Sequence, residues 1–296
     1  MARGIQGTFE GKVFVVTGGG TGIGAATAIA CAEIGMDVLL VGRRREPLER
    51  VAARIEGLGR RGVVLPMDVA AEGASQKILD HSEAELGGFD AVFANAGYGM
   101  EVPLIHATEE SIARMVEVNF MATVFLLREA GRRMVDAGRT GHLLACSSCL
   151  AKYTIPDFGL YSATKAAQNM VCRSMRFELR PHGVEVASVH PVTTRTEFFD
   201  AALENSGDHA NFLKQGVPSD GGGPFVQSPE RVAKAIVKCL RRPRSEVWTS
   251  LGARWVGGMF EFAPWTYDLM LSMMAGRAHR VRAKNGASES ETATGG

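Results

Sequence analysis

A short apolar run that opens into a glycine-rich turn limits the possible folds of this chain more than any other stretch. Residues 12–17 (Lys-Val-Phe-Val-Val-Thr) are mostly β-branched or aromatic, which is typical of a strand buried on both faces. Five closely spaced glycines follow: Gly18, Gly19, Gly20, Gly22 and Gly24. Residues 25–34 are alanine-rich and favour a helix. A glycine turn in this position is either merely flexible or lets the backbone approach a phosphate at the helix N-terminus, and the context favours the second.

The alternation of strands and helices continues along the chain. Further strand-like runs occupy 37–41, 62–69, 89–94, 141–146, 184–190 and 246–249, with helical patterns between them. This order predicts a Rossmann-type α/β fold, a doubly wound parallel sheet of about seven strands with helices on both faces. We expect one catalytic domain over residues 1–250, an apolar and basic extension over 251–284, and a disordered tail over 285–296.

Composition and charge exclude several classes of protein. The 296 residues carry a formal charge of +1, which gives no support for nucleic-acid binding. No apolar run reaches the roughly 18 residues of a membrane span, and residues 1–10 lack the apolar stretch of a secretion signal. The five cysteines are scattered and odd in number, which argues against a disulfide framework. We therefore expect a cytoplasmic protein with no metal site.

The second strand indicates which nucleotide is bound. Residues 37–41 are followed by Gly42 and Arg43. At this point NAD-binding folds present an acidic side chain to the ribose 2′-hydroxyl, whereas an arginine accommodates the 2′-phosphate of NADP. Gly42 supplies no carboxylate and the Arg43 guanidinium suits a phosphate, so the sequence favours NADP(H) over NAD(H). Alternatively, the arginine only begins a basic helix at 46–57. Asp68, after the third strand, could approach the adenine or cap the next helix.

Tyr161 and Lys165 form the strongest candidate for catalysis. Residues four apart on a helix are neighbours, so the pair places an ammonium beside a phenol. A positive charge lowers the pKa of a phenol, which can then exchange a proton with a carbonyl oxygen or an alcohol near neutral pH. The pair alone also occurs on ordinary solvated helix faces. Ser148 follows the strand at 141–146, just before this helix, and is therefore expected to face the same crevice.

Two other polar features have competing interpretations. Asn119 lies within a long helix expected over 108–138, with Thr108 as its N-cap, and is either exposed or buried with a partner. Cys146 and Cys149 form a Cys-x-x-Cys pair, but they lie at a strand end rather than at the start of a helix, which disfavours redox work.

These residues together resemble the short-chain dehydrogenase/reductase family over about residues 10–250. The motifs that carry the resemblance are Thr17-Gly-x-x-x-Gly-Ile-Gly24, Asp68, Asn95-Ala-Gly97, Asn119, Ser148 and Tyr161-x-x-x-Lys165. Ser148 stands thirteen residues before Tyr161, which is the usual spacing in this family. Each motif alone is weak, but the complete ordered set is specific.

The resemblance implies a role for each matching residue. Tyr161 would be the acid in reduction and the base in oxidation, and Lys165 would lower its pKa and bind the nicotinamide ribose. Ser148 would hydrogen-bond the substrate carbonyl, with Ser147 as the alternative serine, and Asn119 would support a water in a proton relay. Besides Tyr161 and Lys165, the implied cofactor-binding residues are Thr17, Gly18, Gly20, Thr21, Gly22, Ile23, Gly24, Arg43, Asp68, Val69, Asn95, Ala96, Gly97, Pro191, Thr193 and Thr196.

The chain departs from the family pattern at the end of the sixth strand. Pro191-Val192 stands where the family has Pro-Gly, and a β-branched residue resists positive φ beside the nicotinamide. Residues 197–228 lie where the family closes over its substrate. There, Phe198, Phe199 and Phe212 either wall an apolar pocket or only hold the loop down.

The 251–284 extension goes beyond the family core. It is rich in aromatic residues and methionine, and four basic residues close it: Arg277, Arg280, Arg282 and Lys284. Such a segment packs on its own protein, on a partner subunit, or in a membrane interface.

The sequence thus predicts an NADP(H)-dependent oxidoreductase that transfers a hydride between the nicotinamide and a carbonyl or secondary alcohol of a medium-sized apolar substrate. Two alternatives are an NAD(H)-linked alcohol dehydrogenase and a non-catalytic nucleotide sensor on the same fold. By analogy with the family we expect a homo-oligomer, a dimer or tetramer. The 251–284 extension is a candidate for peripheral membrane contact.

Overall fold

Seven parallel strands form a single sheet. The computed structural model describes residues 8–194, 197–209 and 226–272. The strands are β1 (Val13–Thr17), β2 (Asp37–Gly42), β3 (Gly62–Pro66), β4 (Ala91–Ala94), β5 (Gly141–Cys146), β6 (Val184–His190) and β7 (Glu246–Trp248). Their order is β3-β2-β1-β4-β5-β6-β7, with every neighbouring pair parallel. The order reverses between β1 and β4, and doubly wound sheets bind ligands at the carboxyl ends of such strands.

Helices cover both faces of the sheet. They are α1 (Gly22–Glu33), α2 (Arg45–Glu56), α3 (Ala74–Leu86), α4 (Glu109–Met115), α5 (Ala122–Asp136), α6 (Gly159–Leu179), α7 (Phe198–Ser206), α8 (Pro229–Arg241) and α9 (Leu251–Phe262). Apolar side chains of α1, α2 and α8 pack on one face, and those of α3, α5 and α6 pack on the other. The predicted Rossmann-type fold, with helices on both faces of a parallel sheet, is confirmed.

Alternate residues of the central strands enter two separate hydrophobic cores. In β1, Val13 and Val15 lie in one core, whereas Phe14 and Val16 lie in the other. Every residue of β1, β5 and β6 is buried. β1 is apolar up to Thr17, as is typical of a strand covered on both faces, whereas β5 and β6 also bury polar side chains such as His142 and Glu185. Burial on both faces fixes the carboxyl ends of the strands, where the candidate site lies.

The long helix expected over 108–138 is present and contains a π-helical turn. Thr108 caps α4 as predicted, and its hydroxyl oxygen accepts a hydrogen bond from Ser111 N at 3.2 Å. Residues Val116–Met121 form the π-helical turn between α4 and α5, so helical structure runs without a break from Glu109 to Asp136. The sequence did not predict the π turn, because the turn is held by contacts with residues distant in the chain.

Residues beyond 250 pack partly on the sheet domain. α9 and a second helical stretch over 264–272 follow β7, and α9 buries Ala253, Gly257 and Phe260. Several large apolar side chains of this region are exposed: Leu251, Trp255, Val256, Met259, Phe262, Trp265 and Leu269. Across the described ranges, no helix has both the length and the apolar character needed to cross a membrane. The predicted basic cluster and tail lie outside the described residues.

Candidate active site

The glycine turn after β1 is shaped by residues that cannot carry a side chain. Gly18 and Gly22 have φ of 65° and 54°, in the left-handed region that favours glycine. A Cβ added to Gly24 would lie 2.1 Å from Gly18 O. The turn leads to Thr21, the N-cap of α1, whose side chain makes no capping bond, and the first turn of α1 holds no acidic residue. The first amides of α1 are therefore available to an anion such as a diphosphate.

The turn after β4 is fastened to the end of β1. Thr17 Oγ1 accepts hydrogen bonds from the backbone amides of Asn95 and Ala96, both at 3.0 Å. Asn95 Nδ2 donates in return to Thr17 O at 3.0 Å and Gly18 O at 3.3 Å. These bonds join the two strand ends on either side of the switch point, so the predicted residues of both turns share one crevice.

Arg43 and Arg114 both lie near Asp68, where the adenosine of the cofactor is predicted to bind. Arg43 is exposed just after β2. Asp68 accepts hydrogen bonds from Ala70 N at 2.9 Å and from Arg114 of α4 at 2.5 Å. Burial opposes ionisation of Asp68, but the Ala70 amide and Arg114, with a smaller effect of Arg43, lower the pKa of its carboxyl. Asp68 does not cap the following helix, because the N-cap of α3 is Gly73.

Arg114 was not predicted from the sequence, whereas Val69 and Ile23 were predicted to bind the cofactor. The sequence does not single out Arg114, because an arginine on an amphipathic helix carries no sign of a partner 46 residues away. Val69 lines a small cavity with Thr17, Ala94 and Ala96. Ile23 is partly buried and packs against the core beneath α1.

Ser148, Tyr161 and Lys165 are brought together at the end of β5. All three side chains are buried, with relative exposures of 8%, 8% and 4%. Lys165 Nζ lies 5.6 Å from the centre of the Tyr161 ring and donates a hydrogen bond to Cys146 O at 2.7 Å. Ser148 Oγ accepts from Leu150 N at 3.1 Å, which leaves its own hydrogen to donate. Ser147 Oγ instead donates to Lys165 O at 2.8 Å, so it is turned towards α6.

Burial dominates the protonation of this group. It raises the pKa of the Tyr161 phenol, while a hydrogen bond from the Ser148 hydroxyl lowers it by a smaller amount. Burial also lowers the pKa of the Lys165 ammonium. The phenol is therefore protonated at neutral pH in the ligand-free protein, a state in which it can donate a proton.

Asn119 is fully buried within the π turn and is held by partners on other elements. Its Oδ1 accepts from Tyr98 N at 3.0 Å, and its Nδ2 donates to Tyr98 O at 2.9 Å. Its backbone oxygen accepts hydrogen bonds from Thr123 Oγ1 and from Gln168 Nε2. A Cβ on Gly97 would lie 3.0 Å from Asn119 Oδ1 and 3.5 Å from Lys165 Nζ. The π turn thus joins the turn after β4 to the α6 face that carries Lys165.

The end of β6 lies against the segment that carries Ser148. Pro191 O accepts a hydrogen bond from Cys149 N at 3.0 Å. Among the described residues, Asp157 is the only non-glycine with positive φ, so Val192 holds an ordinary backbone conformation. The conflict expected from a β-branched residue there does not arise. Thr193 O accepts from Gln227 N at 2.9 Å, whereas Thr196 lies outside the described residues.

Apolar residues surround the Tyr161 phenol. The Phe198 ring at the start of α7 lies 5.7 Å from the Tyr161 ring, tilted by 58°. Met100, Phe158 and Ala202 belong to the same buried cluster. Phe198 is therefore placed beside the Tyr161 phenol. The side chain of Phe199 and the whole of Phe212 lie outside what the structure describes.

The 251–272 segment contacts the loop between Ser148 and Tyr161. The Tyr267 hydroxyl accepts from Thr154 N at 2.8 Å and donates to Thr154 O at 2.6 Å. Lys152, largely buried, pairs with Glu246 at 3.1 Å and with Glu261 of α9 at 3.2 Å. The sequence gives no signal for these contacts, since each joins residues about a hundred positions apart.

The cysteines near the site are not paired with one another. Cys146 and Cys149 are free thiols, as are the other three cysteines of the chain. Burial raises the pKa of both thiols, which keeps them protonated and poorly reactive. The site therefore offers proton transfer through a phenol and a hydroxyl, next to a turn suited to a dinucleotide.

Comparison with known proteins supports this assignment. The family model described as short chain dehydrogenase matches residues 12–207. A short-chain dehydrogenase/reductase of Armillaria gallica is 30% identical over 229 residues, covering 77% of this chain and 88% of that protein.

Two solved structures are similar over most of the chain. A short-chain dehydrogenase/reductase from Burkholderia phymatum in complex with NAD has a TM-score of 0.80 at 21% identity, covering 88% of this chain and 97% of that one. An alcohol dehydrogenase from Thermococcus sibiricus complexed with 5-hydroxy-NADP has a TM-score of 0.68 at 27% identity, covering 80% of this chain and 95% of that one. The chain described here belongs to the short-chain dehydrogenase/reductase family, whose members are oxidoreductases of alcohol and carbonyl groups.

Proposed function

We propose that this protein is an NADP(H)-dependent oxidoreductase in which Tyr161 is the general acid and base for a carbonyl and secondary-alcohol pair. The observation that carries the proposal is the buried set of Ser148, Tyr161 and Lys165, with the ammonium 5.6 Å from the phenol ring. The glycine turn and the first amides of α1 fit the cofactor diphosphate. When bound, the nicotinamide would supply or accept the hydride.

Tyr161 would give a proton to the carbonyl oxygen during reduction. Burial raises the pKa of the phenol, so its hydrogen is in place at neutral pH. The Ser148 hydroxyl, which already accepts from Leu150 N, would donate its hydrogen to the same carbonyl oxygen. The Lys165 ammonium would offset the charge left on the phenol oxygen, and the reverse steps would serve alcohol oxidation.

Replacing Tyr161 with Phe tests the proton-transfer role. We expect kcat for NADPH-dependent carbonyl reduction to fall by about 10²–10⁴-fold, because the acid is lost while the ring remains. NADPH affinity, measured by nicotinamide fluorescence, should change little. Tyr153→Phe is the matched control, since that half-buried tyrosine lies in the neighbouring loop and should retain turnover. Undiminished turnover in Tyr161→Phe would refute the mechanism and favour the sensor alternative.

The preference for NADP(H) rests on Arg43. Similar structures carry either cofactor, NAD in the Burkholderia phymatum protein and an NADP derivative in the Thermococcus sibiricus protein. Arg43 is exposed after β2, where the strand end offers Gly42 and no carboxylate.

Replacing Arg43 with Ala measures this preference. We expect the Kd for NADPH to rise by about ten- to a hundredfold, because a charge-assisted phosphate contact is lost, while the Kd for NADH changes little. Arg45→Ala is the control, since Arg45 pairs with Glu49 on its own helix. If wild type and Arg43→Ala bind NADPH with equal affinity, the NAD(H)-linked alternative is favoured.

The surroundings of Tyr161 favour a medium-sized apolar substrate. Met100, Phe158, Phe198 and Ala202 form the apolar cluster next to the phenol. A panel of ketones and aldehydes of increasing apolar size should therefore show kcat/KM rising with apolar size before it falls. A preference for charged substrates would contradict this assignment.

Partner contacts belong to the same proposal. Members of the family commonly oligomerise, and here α5 and α6 expose Phe125, Met170 and Phe177, which suits a homodimer through these helices. Light scattering should give the mass of a dimer or tetramer. Phe177→Ser should weaken the association of the subunits and shift the protein towards the monomer.

The exposed apolar residues of α9 precede a basic stretch in the sequence, which suits peripheral contact with an anionic membrane. Co-sedimentation with anionic vesicles tests this contact. Binding that survives Trp255→Ser combined with Phe262→Ser would exclude α9 as the contact.

A further inference from the structure

We propose that His190 is a positioning residue for Ser148, holding the backbone carbonyl of Ser148 so that its hydroxyl stays directed at the reacting carbonyl group. This inference rests on the proposed function of Ser148. His190 is the last residue of β6, and Ser148 follows the end of the neighbouring strand β5. Nothing in the sequence pattern marks His190 for this role.

Both nitrogens of the His190 ring are engaged although the side chain is fully buried. Nδ1 lies 2.9 Å from Ser148 O, and Nε2 lies 2.9 Å from Ser188 Oγ. A carbonyl oxygen only accepts hydrogen bonds, so the ring hydrogen must be on Nδ1. Burial lowers the pKa of His190 to about 4, so the ring is neutral at physiological pH and carries that single hydrogen.

The single ring hydrogen also fixes the direction of the bond between the ring and Ser188. Because Nε2 has no hydrogen, it accepts from the Ser188 hydroxyl. Ser188 Oγ also lies 2.9 Å from Asn169 Oδ1 on α6, which is a second acceptor for the same hydroxyl. Ser188 and Asn169 thus hold the far side of the ring, while Nδ1 donates to the Ser148 carbonyl.

The position of the ring is itself fixed. The Trp248 indole of β7 stacks on the His190 ring with centres 4.5 Å apart and planes 9° apart. Trp248 Nε1 donates to Glu246 at 2.8 Å, and Glu246 pairs with Lys152 in the loop after Ser148. The ring can therefore neither rotate nor withdraw without disturbing β7 and this loop.

A second bond fastens the same peptide segment to β6. Cys149 N donates to Pro191 O at 3.0 Å, next to the bond from His190 to Ser148 O. The two bonds hold the peptide group between Ser148 and Cys149 from both of its polar atoms. Displacement of a reacting group by about 1 Å can cost about a hundredfold in rate, so this tie is expected to matter for turnover.

The test compares His190→Leu, which lacks a donor, with His190→Asn, whose amide places an N–H near the position of Nδ1. We expect kcat for carbonyl reduction to fall by about tenfold or more in His190→Leu and by no more than about threefold in His190→Asn. His190→Gln, whose amide lies nearer the position of Nε2, should resemble His190→Leu. NADPH affinity should stay within about twofold in all three, because the glycine turn is untouched.

A double-mutant cycle shows whether His190 acts through Ser148. If it does, Ser148→Ala combined with His190→Leu should be no slower than Ser148→Ala alone. Multiplicative losses, or equal losses in His190→Asn and His190→Leu, would overturn the proposal, because they would mean that the ring only fills space.

An activity-independent measurement separates this proposal from the proposed function. Hydrogen exchange of the Cys149 amide should be faster in His190→Leu and His190→Gln than in wild type, and unchanged in His190→Asn. Equal exchange in wild type and all variants would overturn the positioning role even if the enzyme is active. Wild-type protein that turns over no carbonyl would refute the proposed function, and the exchange pattern would still decide whether His190 holds the segment.

Discussion

Gly24 is the described glycine at which an added Cβ would lie closest to another atom. Its Cβ would lie 2.1 Å from Gly18 O and 2.7 Å from Asn95 Nδ2, and neither the backbone oxygen nor the hydrogen-bonded amide can withdraw. Gly24→Ala should therefore lower the melting temperature and raise the Kd for NADPH by about tenfold or more, since the turn must shift.

Gly258→Ala is the matched control for that substitution. Gly258 lies in helix α9, and apart from the adjacent backbone of that helix no atom lies within 4 Å of the position of its added Cβ. Because alanine is the better helix former, this variant should unfold at the same or a higher temperature and bind NADPH normally. A Gly24→Ala protein with wild-type affinity would show that the turn tolerates displacement.

The sequence predicts the position in the site of some residues but not of others. Tyr161, Lys165 and Ser148 could be placed in one crevice because helix periodicity and strand ends are local properties of the chain. Arg114 and His190 could not, because an isolated charged or aromatic side chain has no periodic partner. Their contacts exist only once separate strands and helices have been assembled.

The same limit applies to whole elements. The sequence of Val116–Met121 carries no local signal that it forms a π turn instead of α-helix. Asn119 in this turn accepts hydrogen bonds from Tyr98 N and from Gln168 Nε2, which lie 21 and 49 residues away. Because tertiary contacts of this kind hold the turn, the helical region at 108–138 was predicted but the π turn was not.

The segment after β7 acts as a brace for the loop between Ser148 and Tyr161. Tyr267→Phe removes both hydrogen bonds to Thr154 and leaves two backbone groups of a partly buried residue without a protein partner. We expect a loss of about 1–3 kcal/mol in the free energy of unfolding. kcat/KM for the carbonyl substrate should fall, while NADPH affinity should not.

Trp265→Phe is the control for the Tyr267 substitution. Trp265 lies in the same helical stretch but is 69% exposed, so its replacement should change neither the stability nor kcat/KM appreciably. Equal effects of the two substitutions would show that the Tyr267 hydroxyl does not brace the loop.

For the whole molecule, the sheet is the part that the sequence predicts best. Central strands such as β1, β2 and β4 are buried on both faces and are therefore mostly apolar. Seven strand-like runs separated by helical patterns leave few arrangements other than a doubly wound sheet. The segment beyond 250 has no such constraint. Its aromatic residues are divided between a buried face and exposed positions, and composition alone cannot assign them.

Two buried histidines make the stability of the whole fold depend on pH. Burial lowers the pKa of His142 and of His190 to about 4 in the folded protein, with Arg176 adding to the effect at His142. In the unfolded chain each should have a pKa near 6.5, so the unfolded state binds more protons between about pH 6.5 and pH 4. Stability is therefore complete above this window and falls as the pH decreases through it, by up to about 3 kcal/mol for each histidine.

Urea denaturation at pH 7.5 and at pH 4.5 measures this loss. Carboxylates such as Glu129, whose folded pKa is lowered to about 2 by Arg132 and Arg133, act mainly below about pH 4.5 and should contribute little between these two values. His142→Gln removes one titrating group, so it should show a smaller difference in the free energy of unfolding between the two pH values than wild type. If the difference is unchanged, His142 is accessible to protons in the folded state and other groups cause the acid sensitivity.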